Sequence, residues 1–134
     1  MNDNAEITFR HAAPEDASSL EHMLPQLADF DIPSNRQPEQ LWTGDLKLLH
    51  GILAGEKPNA FLEVAVDARQ PQKPLGLAMI SMCEELFNHE PSAHLEALVV
   101  DAQARGLGIG RKLLAHAEQC ARARGAHTLT LHVF

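Results

Sequence analysis

The sequence predicts a mixed α/β domain with the element order β-α-α-β-β-β-α-β, and three observations carry that expectation. Short apolar runs separated by Pro- and Asn-containing turns at 69–74 and 88–92 give three successive strands in the middle of the chain. Two earlier stretches carry apolar residues at helical spacing. After the third middle strand come a glycine-rich junction, an amphipathic run and a last alternating segment. Two strands joined through a helix must lie parallel, so the sheet is mixed.

Each element has its own signature. Residues 7–10 alternate and form the first strand. Pro14, Glu15 and Asp16 open a helix, with proline at its first position and acids where the helix dipole favours them. Leu20, Met23, Leu24 and Leu27 make its apolar stripe, and Pro25 should kink or split it. Residues 31–38 have loop composition. Residues 41–53 form the second helix, with Gly55 and Pro58 past its end. Strands follow at 61–66, at 75–82, which is apolar on both faces, and at 93–100. On a regular pleat His94, Glu96, Leu98 and Val100 share one face of that last strand. Ile109, Leu113, Leu114, Ala117 and Cys120 trace one side of the third helix, Gly125 caps it, and residues 128–134 form the fifth strand.

A chain of 134 residues suits one domain, 1–134, with a core of its own. Residues 1–100 hold 16 of the acids against 6 Lys/Arg, which argues against a nucleic-acid partner. Residues 101–134 hold 2 acids against 5 Lys/Arg, so the basic end surrounds the glycines. No apolar run reaches the roughly 18 residues of a membrane span. The polar, acidic start is unlike a signal peptide, and Cys83 and Cys120 form no paired motif. A cytoplasmic protein with free thiols is expected.

The junction reads Arg105-Gly106-Leu107-Gly108-Ile109-Gly110-Arg111. Glycines can take positive φ and hold no side chain between backbone and ligand. At a strand-to-helix junction they can turn several N–H groups, with the helix's own free N–H groups, toward one anion. A phosphate or pyrophosphate suits such a cradle. A Walker A loop needs Gly-Lys-Ser/Thr, and a Rossmann loop needs its third glycine where Arg111 stands.

These residues resemble the hallmark Arg/Gln-x-x-Gly-x-Gly/Ala of the GNAT superfamily of acyl-CoA-dependent N-acyltransferases, preceded here by Leu98-Val99-Val100-Asp101. The element order along the chain is similar as well. The resemblance implies the GNAT-like acyl-CoA N-acyltransferase fold, with acetyl-CoA as co-substrate and no metal. It implies that Gly106, Leu107, Gly108, Ile109, Gly110 and Arg111, with Arg105, cradle the pyrophosphate. Leu98, Val99 and Val100 would pair with the pantetheine arm, often beside a bulge. It further implies an amine acceptor, small-molecule or peptide, and a base that relieves it of a proton. Glu96 resembles the acidic position that serves as base in some members, and His94 is the second candidate. His89, His94 and Glu90 do not have the His-Glu-x-x-His spacing of a zinc site.

The sequence departs from the family after the fifth strand. Members usually continue with a helix bearing a tyrosine and two further strands, and this sequence contains no tyrosine. No acid for the leaving thiolate carries over, and His132 is the nearest stand-in. A fold short at its C-terminus is expected to be closed by a second copy, as a homodimer. The leading expectation is an N-acetyltransferase acting on a primary amine. The rivals are a non-catalytic acyl-CoA-binding or regulatory module and a nucleotide-binding domain. Coenzyme A release over a panel of amines would separate the first two.

Overall fold

The structure, a computed structural model, describes residues 6–25, 43–85, 87–104 and 106–131. The expected loop at 31–38, Leu27, Arg105 and His132 lie outside the described residues, as does the last part of the fifth strand.

Five strands form one sheet in chain order: β1 (Ile7–His11), β2 (Ala60–Asp67), β3 (Gln70–Glu84), β4 (Pro91–Val100) and β5 (Leu129–Leu131). The first four are antiparallel to their neighbours, and β5 is parallel to β4, as the crossover logic requires. Helices α1 (Ala17–Met23) and α2 (Thr43–Leu53) cover one face. Leu20, Met23 and Leu49 pack there against Leu62, Val64, Leu77, Met79 and Val99. Helix α3 (Ile109–Ala123) covers the other, placing Ile109, Leu113, Ala117 and Ala121 on Phe61, Ala65, Ala78 and Ile80. Gly76 sets how closely α3 approaches. A Cβ there would stand 3.2 Å from Leu113 Cδ2 and 3.3 Å from Ile109 Cγ2.

The first helix does not begin at Pro14, as the sequence suggests, but at Ala17. Pro14–Asp16 is a 3-10 turn, α1 follows, and a further 3-10 turn at Leu24 and Pro25 ends it. Asp16 is only 4 % exposed. Its carboxylate accepts two hydrogen bonds from the Arg10 guanidinium, at 2.8 and 2.9 Å, and one from the Ala13 N–H at 2.7 Å. Arg10 holds the Asp16 carboxyl below its ordinary range. A carboxyl whose folded pKa is depressed stabilises the fold above its unfolded value, about 3.9, and loses that contribution as pH falls through the folded value. Asp16→Asn should therefore cost about 2 kcal/mol at pH 7 and little once both proteins are well below pH 4. Urea unfolding at the two pH values checks this; an equal loss at both would remove the carboxylate from the explanation.

Two departures from the sequence expectation shape the sheet beside the site, and β4 also begins at Pro91, within the stretch 88–92 read as a turn. Strand β3 begins at Gln70, within the stretch read as a turn, because the ladder resumes at Asp67↔Gln70 after Val66↔Pro74 and the intervening residues bulge. The Pro71 carbonyl on that bulge accepts from Arg10 Nε and Nη2 at 3.1 and 2.9 Å. The turn itself is Ala68 and Arg69, held by Asp67, which accepts from the Arg69 N–H at 3.0 Å. The second difference is in β4. Leu95 pairs with Ile80 and Ala97 pairs with the adjacent Met79, so Glu96 is the extra residue of a β-bulge. The expected common face of His94, Glu96, Leu98 and Val100 is thereby corrected. His94 stands opposite the α3 side, while Leu98 and Val100, beyond the bulge, pack on it.

Candidate functional site

The β4–α3 junction forms a cavity of about 330 Å³. Leu98, Val99 and Val100 of β4 line it with Gly106, Gly108, Ile109 and Gly110 of the junction. Ala104, from a 3-10 turn at Ala102–Ala104, completes the lining; no motif singled it out. The turn is built by Asp101, whose N–H donates to the Leu75 carbonyl (2.8 Å) and whose carbonyl accepts from Ala104 N–H (2.8 Å).

Gly106 and Gly108 have φ of +91° and +73°, in the left-handed region, and Gly108 is the N-cap of α3. A Cβ at either would have no protein atom within 4 Å, so the backbone angle and not crowding calls for glycine. The same openness lets a ligand reach the backbone. No side chain caps α3, and its first turn contains no acid. Ile109, Gly110 and Arg111 head a 15-residue helix whose first N–H groups lack intrahelical acceptors. An anion is the matching ligand for such an end, and the apolar β4 wall suits an extended, uncharged arm beside it.

The expected residues divide as follows. Leu98, Val99, Val100, Gly106, Gly108, Ile109 and Gly110 come together around the cavity. Leu107 instead packs against the core beneath α3, and Arg111 is exposed on the first turn. Glu96 is half-buried at the bulge, before the cavity's β4 wall. His94 Nδ1 lies 2.8 Å from Thr130 Oγ1 on β5. The described pairing of β4 with β5 ends at Leu95↔Leu131, so the strands are joined up to the bulge.

A second polar group lies on the same side of the sheet, nearer β1. Glu63 of β2 is buried among apolar neighbours and meets His11, His116 and Cys120. Burial, then the Glu63 charge, pushes the Cys120 thiol up to about 11. The sequence signal for this group was a single acid in the apolar run 61–66 and a His and Cys four apart on one helix. His89 and Glu90, weighed from sequence as metal ligands, lie elsewhere; His89 pairs loosely with Glu84 at 3.5 Å.

The model of the acetyltransferase (GNAT) family matches residues 22–134. No curated protein matches the sequence closely enough to count as a relative. Among solved structures, a transcriptional regulator from Bacillus halodurans C-125 is similar, with TM-score 0.71 and 23% identity over 96% of this chain and 83% of its own. A GNAT family acetyltransferase of Staphylococcus aureus gives 0.69 and 20% identity over 96% and 87%. An aminoglycoside acetyltransferase from an uncultured soil metagenomic sample, in complex with sisomicin, gives 0.67 and 21% over 100% and 81%. These likenesses establish the shared fold. Among the described residues no helix is long and apolar enough to cross a membrane.

Proposed function

Since this chain belongs to the acetyltransferase (GNAT) family, we propose that it transfers an acetyl group from acetyl-CoA to a primary amine. The observation that carries the proposal is the pair of positive-φ glycines, Gly106 and Gly108, at the uncapped start of α3. In this reading the backbone N–H groups from Gly106 to Arg111 hold the pyrophosphate. The β4 segment Leu98, Val99 and Val100 offers main-chain groups to the pantetheine amides. Acetyl-CoA supplies a thioester carbonyl open to attack by a neutral amine.

The protein's task is then to hold the amine and take its proton. An alkylamine with a pKa near ~10.4 is only roughly 0.04% neutral at pH 7, a handicap of about 4–5 kcal/mol. Glu96 is the group we assign to that proton, directly or through a water. The bulge supports the assignment, because it re-aims one residue of a strand that is otherwise locked in register. His94, tied to Thr130, is the second choice. The acid excess of residues 1–100 favours a cationic acceptor, and the sisomicin-bound relative makes aminoglycosides and polyamines the first panel to try.

Release of free coenzyme A with and without each amine tests the activity. Glu96→Gln should lower kcat by about 10²-fold or more while leaving acetyl-CoA affinity unchanged. Full activity in Glu96→Gln would pass the role to His94 or to water. Acetyl-CoA binding without turnover on any amine would favour a binding module.

A further inference from the structure

The acyl-transfer reading leaves the Glu63 group unused. Its side chain is 1 % exposed on β2, next to the edge strand β1, and no Lys or Arg among the described residues pairs with it. A carboxylate in that position is costly unless strongly partnered. Its partners are all metal-ligand types. His116 Nε2 is 2.7 Å from Oε1, and Cys120 Sγ is 3.5 Å from Oε1 and 3.5 Å from His116 Nε2. His11 Nδ1 contacts the other oxygen, Oε2. The ligand atoms of Glu63, His116 and Cys120 all lie within 4.8 Å of one another.

We infer that Glu63 Oε1, His116 Nε2 and Cys120 Sγ form a binding site for a zinc-like divalent transition-metal ion, with His11 holding the free carboxylate oxygen. The distances carry it. Around a tetrahedral zinc ion, sulfur stands about 3.6 Å from a nitrogen or oxygen ligand, and nitrogen about 3.3 Å from oxygen. Both sulfur edges are at that length in the structure, and only the His116–Glu63 edge must open, by about 0.6 Å. A mixed imidazole, carboxylate and thiolate set suits zinc better than a hard ion such as magnesium or calcium.

The surroundings fit the same reading. His116 and Cys120 lie one turn apart on α3, so the helix presents both to one point. Phe9 stacks on the His116 ring at 4.8 Å and 15°, which fixes the ring plane. His11 on Oε2 is the outer hydrogen bond that ligating carboxylates commonly have. His116 is 24 % and His11 74 % exposed, which gives an ion a way in at the β1 edge. On binding, the ion replaces the thiol proton, which leaves to solvent. His116 ligates as the neutral ring, its hydrogen carried on Nδ1. The fourth position belongs to water.

Cobalt(II) is the probe, added to the reduced, metal-free full chain. One equivalent should produce a thiolate-to-cobalt charge-transfer band with the visible bands of a four-coordinate ion, and one equivalent of zinc should bleach both. Cys120→Ser should lose the charge-transfer band, and Cys83→Ser should keep it. His11→Gln should weaken binding by about 10- to 100-fold while keeping the spectrum. Zinc should also raise the wild-type Tm, an effect that chelator reverses. Absence of the band in wild type at excess cobalt, or its survival in Cys120→Ser, would overturn the site and leave a hydrogen-bonded core cluster.

Discussion

Gly108→Val should give a folded protein that no longer binds acetyl-CoA. Gly108 has φ of +73° as the N-cap of α3, a conformation that costs an L-residue about 1–2 kcal/mol and a β-branched one more. The chain can relieve that strain only by turning the peptide groups on either side, which redirects the N–H groups assigned to the pyrophosphate. A side chain that stays in place meets no protein atom within 4 Å of its Cβ, and in the proposed binding mode it would compete with the ligand for the cavity that Gly108 lines. Calorimetric titration should show at least about 100-fold weaker binding, some 2.7 kcal/mol. The Tm should fall by only a few degrees. Gly108→Ala should be intermediate. Wild-type affinity in folded Gly108→Val would refute the placement of the pyrophosphate.

Leu113→Ala should produce the largest loss of stability of any single truncation on α3. Leu113 is fully buried, one turn past the glycine junction, and its Cδ2 sits over the bare backbone of Gly76. Removing the branched end leaves a cavity that the rigid sheet cannot collapse to fill, at a cost of about 3–4 kcal/mol. With a urea m-value of about 2 kcal/mol/M, the midpoint should fall by about 1.5–2 M. The double variant Gly76→Ala with Leu113→Ala should recover part of that loss, because the added Cβ enters the vacated space. A loss below about 1 kcal/mol in the single variant would mean that α3 is not pinned there.

The contrast between what the sequence revealed and what it did not follows from how each feature is encoded. Strand direction and helix placement were legible because alternation, helical spacing and turn residues are local signals. The glycine junction was legible because few backbone geometries need Gly106 and Gly108 so close together. A bulge beside Leu98 was implied by the family resemblance alone; its place at Glu96 was not legible, because a one-residue slip leaves no mark on the local apolar pattern of the strand. The group around Glu63 was hidden for another reason. His11, Glu63 and His116 are distant in sequence, and only the β1–β2 register with the packing of α3 brings them together. The Arg10 contact with the Pro71 carbonyl, beside the early start of β3, is a similar long-range arrangement.

The strand order 1-2-3-4-5 also bears on how the sheet comes apart. The pairs β2–β3 and β3–β4 enclose only two and six residues, 68–69 and 85–90. The pair β1–β2 encloses residues 12–59, and β4–β5 encloses residues 101–128. Loop-closure entropy grows with the enclosed length, so the central meander holds its ladders at least entropic expense. Strands β1 and β5 are the ones whose release frees most chain. Among the described strands, opening therefore begins at the two outer ones, β1 and β5. One margin carries His11 and Phe9 beside Glu63, and the other carries the Thr130 that holds His94. Whatever binds at either place closes that margin, and slows the fraying of the whole sheet from that side.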